Sequence, residues 1–243
     1  MTNQGLNPNR NLTDLAALIP TIKLAETRMP DGTLYALHEH DGVYSIRFNG
    51  EPLMSSSWTN SELILADEGC RFQKPIKAPR VLIGGLGLGF SLRRVLELVG
   101  PKAKVCVAEL LPEAIAWNRE FLGHINGQLL DEDRVEVFTG DVFDCIRQRG
   151  PSHFNSILLD TDNGPSALVQ PGNSRLYDPR GLTMIYDSLK PGGRVSFWAS
   201  DPEPKFPKEL RKAGFEVEEL PAKAYESAKR FAHRIYTGAK RGN

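Results

Sequence analysis

No stretch of this chain approaches the ~20 consecutive apolar residues that a membrane span requires. Its opening, MTNQGLNPNRNLTD, lacks the charged-then-apolar order of a secretory signal, so a cytoplasmic protein is expected. Cysteine is scarce. Cys70, Cys106 and Cys145 lie far apart with no CxxC pair, which excludes a disulfide scaffold and fits a reducing compartment. Cys106, inside the apolar run VCVA, reads as a small buried hydrophobe. Excess charge of either sign is also missing: 30 Lys and Arg offset 30 Asp and Glu, so no net field draws nucleic acid or an anionic membrane. The basic residues from Lys229 to Arg241 are scattered along a terminus and read as a solvated tail. No basic run is interleaved with aromatics as a base-stacking platform would be. Neither nucleic acid nor a membrane is expected as a partner, and no metal is expected.

What is present is enough apolar residue for one substantial core: 40% of 243 residues, with 25% charged. Residues 1–20 read as a loose, Asn-rich segment, loosest over the first eleven. Over 21–60 the pattern becomes short alternating runs, TLYALHEH and VYSIRFN, punctuated by Asp31-Gly32, Asp41-Gly42 and Asn49-Gly50. Such pairs favour tight hairpins with positive φ, so a small antiparallel sheet is expected over Thr21–Met54. Residues 61–79 read as a linking helix, Ser61–Gly69, and a linker closed by Pro75 and Pro79. From residue 80 to 243 strands alternate with amphipathic helices, the pattern of a mostly parallel α/β sheet. Seven strands are expected: Arg80–Ile83, Lys104–Ala108, Arg134–Phe138, Ser156–Asp160, Arg194–Ala199, Phe215–Leu220 and Arg234–Tyr236. Helices are expected over Phe90–Val99, Pro112–Leu122, Asp144–Gln148, Asp178–Ser188 and Pro207–Ala213.

The chemistry is concentrated at the strand ends. VLIGGLGLGFSLRRVLELVG runs a strand into Gly84, Gly85, Gly87 and Gly89 and then into a helix. Glycines permit positive φ and close approach of a ligand to the backbone, and the free N–H groups at the helix start favour an electron-rich group. A P-loop is excluded because no Gly-Lys-Ser/Thr follows, and the dinucleotide pattern Gly-x-Gly-x-x-Gly is broken at Phe90. Glu109 ends the next strand, twenty residues beyond Gly89, where a carboxylate can accept both hydroxyl hydrogens of a ribose. Asp141, with Val142 beside it, follows the third strand and can meet an adenine amino group, while Asp144 is expected to cap the helix after it. Asp160 ends the fourth strand and faces the space where open α/β sheets bind ligands. Asp162 follows it. The segment from Asn163 to Arg180 shows no element and reads as a substrate loop, with Tyr177 near its end.

PRVLIGGLGLG, VAEL, DRVEVFTGDVFD, ILLDTDNGP and LKPGGRVSFW together resemble the spermidine synthase family, within the wider class I S-adenosylmethionine-dependent methyltransferase fold. The resemblance runs from roughly Val43 to Tyr236. It implies that Glu109 holds the ribose, Asp141 contacts the adenine and Asp160 is the catalytic carboxylate beside an acceptor amine. It also brings in Glu62, which resembles a glutamate near the acceptor, and Tyr177, which resembles a tyrosine of the loop after the fourth strand. Two departures stand out. Gly87 occupies the place of the aspartate that holds the donor ammonium in the synthases, and Asp160-Thr161-Asp162-Asn163 is shorter than their Asp-x-x-Asp-Pro.

The reaction implied is attack by a neutral amine on a carbon attached to a sulfonium, which leaves as a thioether. Asp160 would take the proton, with Asp162 or Glu62 attracting a cationic acceptor. Methyl transfer from S-adenosylmethionine to an amine-containing small molecule is the first expectation. Gly87 leaves room for a methionine carboxylate, which the N–H groups of Leu88 and Gly89 would meet. Aminopropyl transfer from decarboxylated S-adenosylmethionine is the alternative, and an inactive cofactor-binding interaction protein is the third reading. A homodimer is left open as the assembly.

Overall fold

A computed structural model describes residues 19–29, 32–72, 75–161, 164–166 and 171–242. The loose start expected over the first eleven residues, and Asp31, Asp162 and Asn163, lie outside the described residues. The chain divides between Ser57 and Trp58 into two compact units. Among the described residues no helix is long and apolar enough to cross a membrane.

The first unit is an antiparallel meander of β1 (Ile22–Arg28), β2 (Leu34–His40), β3 (Val43–Phe48) and β4 (Glu51–Ser55), in that spatial order. Its turns follow from local chemistry. Asp41 and Gly42 have φ of 49° and 76°, Asn49 and Gly50 have 50° and 89°, and two successive positive φ values are what the strand twist demands of a two-residue hairpin. The cross-strand neighbours Leu37 and Ile46 are buried.

The second unit runs α1 (Asn60–Gly69), β5 (Arg80–Gly84), α2 (Phe90–Leu98), β6 (Lys104–Glu109), α3 (Pro112–Glu120), α4 (Gly123–Asn126), β7 (Val135–Thr139), α5 (Val142–Arg149), β8 (Phe154–Leu159), α6 (Ser174–Tyr177), α7 (Pro179–Ser188), β9 (Leu189–Ala199), α8 (Phe206–Lys212), β10 (Glu216–Ala222) and β11 (His233–Ala239). Its sheet has the order β10-β11-β9-β8-β5-β6-β7. Strands β5 to β9 pair in parallel, and β11 is antiparallel to both β9 and β10. All seven expected strands are present, their ends shifted by no more than five residues. The chain leaves β5 outward through β6 and β7, then returns to β8 on the other side of β5. That reversal opens a crevice at the carboxyl ends of β5 and β8.

Both sheet faces are covered, so β8 is buried along its whole length. Helix α1 belongs to this covering. Ser156 Oγ donates to the Gly69 carbonyl at 2.7 Å and Ser196 Oγ to the Leu65 carbonyl at 3.3 Å. A Cβ on Gly69 would come within 2.8 Å of Leu158 and Ser196 side-chain atoms, so the contact needs a glycine. These contacts set the direction of the helix. Its carboxyl end lies over the middle of β8, and its amino end, carrying Glu62, points to the crevice.

Two expectations need correction. The segment after β8 is not without structure: α6 lies within it, after a 3-10 turn at Pro171–Asn173. Asp178, expected inside the next helix, caps it instead, accepting from the Gly181 N–H at 2.7 Å. The short polar side chain satisfies a helix-start donor, and Pro179 follows at the first helical position, where its missing N–H costs nothing.

Candidate active site

The glycine turn is built by close backbone approach. Gly85 has φ of 90°, and a Cβ there would stand 2.3 Å from the Asp160 carbonyl oxygen. No side chain fits. The Asp160 N–H donates to the Gly84 carbonyl at 2.9 Å, tying the end of β8 to the turn. Val142 leans over Gly84, where a Cβ would meet it at 2.8 Å. Two asparagines brace the far side: Asn118 Nδ2 donates to the Gly87 carbonyl at 2.8 Å, and Asn126 Nδ2 donates to the Leu88 carbonyl.

Glu109 lies against this turn. Its Oε2 accepts from the Leu86 N–H and its Oε1 from the Leu111 N–H, each at 2.9 Å. Burial pushes its pKa up, and the backbone donors at Leu111 and Leu86 pull the other way. The carboxylate is thus held on the crevice edge beside the glycines.

The helix cap expected of Asp144 falls to Asp141. Asp141 is the cap of α5, its Oδ1 accepting from the Phe143 N–H at 2.8 Å, and its Oδ2 is paired with Arg175. Asp144, expected to be the cap, sits inside the first turn and pairs with Arg147 at 3.1 Å. The cap falls to Asp141 because its backbone is extended, with ψ of 130°, which turns the side chain back over the helix start. The Val142 N–H, first in the helix, has no intrahelical acceptor.

Asp160 and Glu62 meet at the crevice. The sheet register pairs Leu159 with Phe197, and one step further it sets Asp160 beside Trp198 on the face that α1 covers. Burial and then the charge of Asp160 push the Glu62 carboxyl up to about 8, with Ser61 pulling it down through a 2.8 Å hydrogen bond. Burial pushes Asp160 up to about 6, opposed by the Ser91 hydroxyl, which lies 3.5 Å from its Oδ2. The two carboxyls behave as one site that disfavours two negative charges.

Two residues of this edge carry no sequence signal read above. Trp198 pairs in register with Ile235, and its ring lies 4.8 Å from that of His233, at the start of β11. The Trp198 indole N–H, His233 Nδ1 and Thr161 Oγ1 are buried without a hydrogen-bond partner among the described residues. Unpaired buried polar atoms are costly, and two of these three belong to residues adjoining Asp160 in chain or register. A tryptophan in an apolar strand, SFWAS, reads as core; only the register shows that it sits beside Asp160.

Two expected site features do not join this group. The Tyr177 ring packs against Phe197 and Phe206, with centroids 6.0 and 5.7 Å away. Phe197 alternates with Trp198 and so faces the opposite side of the sheet from Asp160, and the Tyr177 ring packs on that side. The Gly89 N–H, expected to be free for a ligand carboxylate, donates to the Leu86 carbonyl at 2.8 Å and closes the turn. Asp162 lies outside the described residues.

No protein-family model matches the chain. A polyamine aminopropyltransferase of Corynebacterium efficiens is 31% identical over 120 residues, a match spanning 47% of this chain and only 21% of the relative's length. A spermidine synthase solved in complex with the transition-state analogue AdoDATO superposes with a TM-score of 0.70 at 19% identity, covering 91% of this chain and 73% of that one. The spermidine synthase of Thermotoga maritima gives 0.70 at 18% identity with the same coverage. A probable spermidine synthase from Corynebacterium glutamicum gives 0.66 at 15%, covering 90% of this chain and 79% of that one. The chain has the spermidine synthase fold, and the family resemblance carried by its motifs agrees with these relatives.

Proposed function

We propose that this chain is an aminopropyltransferase that uses decarboxylated S-adenosylmethionine as donor and a cationic, amine-bearing small molecule as acceptor, in a reducing, cytoplasmic setting. The observation that carries the reading is the Glu62–Asp160 pair set against the glycine turn. Two carboxyls that resist holding two negative charges together favour a cation between or beside them. They offer a negative partner to the ammonium of a cationic acceptor.

Aminopropyl transfer was the second of the readings open to the sequence, and it is better supported than methyl transfer. The relatives reported above are named for it. The seat expected for a methionine carboxylate has also lost half its donors, because the Gly89 N–H is spent within the turn. A donor without that carboxylate does not need it.

The residues fit an adenosyl sulfonium donor. Glu109, buried beside the glycines, would hold the ribose hydroxyls, and the Val142 N–H would face the adenine. Asp141, whose oxygens already accept from Phe143 and Arg175, can join Val142 with a remaining lone pair. The donor supplies a carbon bonded to positive sulfur. Attack by the acceptor nitrogen forms the C–N bond while the C–S bond breaks, and its electron pair leaves on sulfur as a neutral thioether. Asp160 accepts the proton released by the amine. Trp198 and His233 would line the acceptor side, where their unpaired polar atoms gain partners.

The deciding experiment is parallel calorimetry with S-adenosylmethionine and its decarboxylated form, followed by mass spectrometry of products formed with putrescine. The decarboxylated donor should bind at least tenfold tighter, about 1.4 kcal/mol, and product should gain an aminopropyl mass. Tighter binding of S-adenosylmethionine with a methylated product would return the chain to methyl transfer. Binding with no product from any amine screened would make it an interaction protein.

Glu109→Ala should weaken adenosyl-ligand binding by about 10- to 100-fold, the cost of losing a charged partner to two hydroxyls. Calorimetry on a variant with unchanged circular dichroism measures this. Affinity equal to wild type would remove Glu109 from the ribose site.

A further inference from the structure

The opposite edge of the larger sheet holds a second cavity, of about 330 Å³, under the amino ends of β5 to β8. Its wall carries Arg80, Lys104, Arg134 and Arg149 against two carboxylates, Asp133 and Glu136. Two of the cations are already engaged. Arg149 is paired with Glu136, and Arg134 Nε with Glu132 at 2.7 Å. Arg80 and Lys104 have no carboxylate within ion-pair distance among the described residues. Lys104 Nζ makes only a 3.4 Å contact with the Asp133 carbonyl. His153 completes the wall. Burial, then Arg80, Arg149 and Lys190, hold its imidazole below the usual value, with Glu136 opposing them.

The wall as a whole carries four cations against two carboxylates, an excess of two positive charges in a chain whose total charge is zero, and Lys190 adds to the positive field at His153 from outside the wall. The volume lies at the small end of the range for ligand pockets. An excess of two matches a dianion, and a guanidinium beside an ammonium matches a phosphate better than a carboxylate, which brings one charge. We propose that this cavity is a binding site for a dianionic phosphate group, either free phosphate or the phosphate of a small monoester. It stands at the far ends of the strands that carry the candidate active site, about 16 Å away along five strand residues, and it does not depend on the aminopropyl reading.

The experiment follows the His153 imidazole by NMR while the intact protein is titrated with inorganic phosphate or uridine monophosphate, against sodium chloride at matched ionic strength. His153→Gln identifies the signal. Phosphate should shift it saturably and raise its pKa, since a neighbouring dianion favours the imidazolium. Arg80→Gln with Lys104→Gln should weaken that binding at least tenfold while methylthioadenosine binding stays unchanged. Lys104→Gln alone, at an exposed position, serves if the double variant unfolds, with a smaller loss expected. Uridine monophosphate binding tighter than phosphate identifies a monoester ligand, and the reverse identifies free phosphate. The proposal is overturned by a chloride response equal to that of phosphate, by no saturation at millimolar phosphate, or by variants that bind phosphate as the wild type does.

Discussion

Asp160→Asn should lower turnover by about 10²–10⁴ at neutral pH while leaving donor affinity close to that of the wild type. The substitution keeps the size of the side chain and its approach to Ser91, but removes the base and one negative charge of the buried pair. Donor binding is carried elsewhere, by the glycine turn and Glu109. The split between turnover and affinity is therefore the signature, and loss of both together would mean that the Asp160 carboxylate also helps to hold the donor. The pH profile sharpens the test. Asp160 is pushed up to about 6 by burial, so wild-type turnover should fall as pH drops through that region and the base is protonated. The variant should lack this acidic limb. If its remaining rate instead climbs steeply with pH and meets the wild type in alkali, proton loss to solvent before binding suffices, and Asp160 is not the base.

Much of this site was legible because its positions are dictated by short-range rules. A strand that runs into glycines and then a helix needs the glycines where backbone meets backbone, and Gly85 against the Asp160 carbonyl is such a place. Carboxylates at strand ends, Glu109 and Asp160, follow from counting along apolar runs. Asp41-Gly42 and Asn49-Gly50 marked two hairpins because few residues other than Gly, Asn and Asp enter positive φ at low cost. The rest depended on contacts between distant parts of the chain. Which of Asp141 and Asp144 caps the helix turns on one ψ angle, and both residues are equally good caps by type. Tyr177 could serve a ligand or a core by type, and that its ring packs on Phe197 and Phe206 is visible only in the fold. Asn118 and Asn126 sit 31 and 38 residues from the carbonyls they brace, with nothing local to mark them. Trp198 is the clearest case, since its place beside Asp160 exists only in the pairing of β8 with β9.

Glu62→Gln should make the ligand-free protein more stable above pH 8 and leave it unchanged near pH 4, while impairing binding of the amine acceptor. The Glu62 carboxyl is pushed from an ordinary 4.5 up to about 8 by burial and by Asp160. The folded state therefore holds a proton that the unfolded chain has released. Linkage then requires stability to be lost as pH rises from the unfolded value, with the loss complete only above the folded one. A shift of that size sets a ceiling of about 5 kcal/mol. Sharing of one charge between the two carboxyls and partial access of water reduce the expected gain at pH 8.5 to about 1–3 kcal/mol, or several degrees in thermal midpoint. Near pH 4 glutamine and protonated glutamate are close to equivalent, so the difference should vanish. Thermal unfolding of both proteins between pH 4 and 9 measures this directly. The cost then appears in function. Putrescine should stabilise the wild type at pH 8.5 and the variant much less, because the charge that burdens the empty site is the one that pairs with the ammonium. A uniform loss of stability at every pH would instead assign Glu62 to its hydrogen bond with Ser61, and with it the amine site would lose one of its two carboxyls.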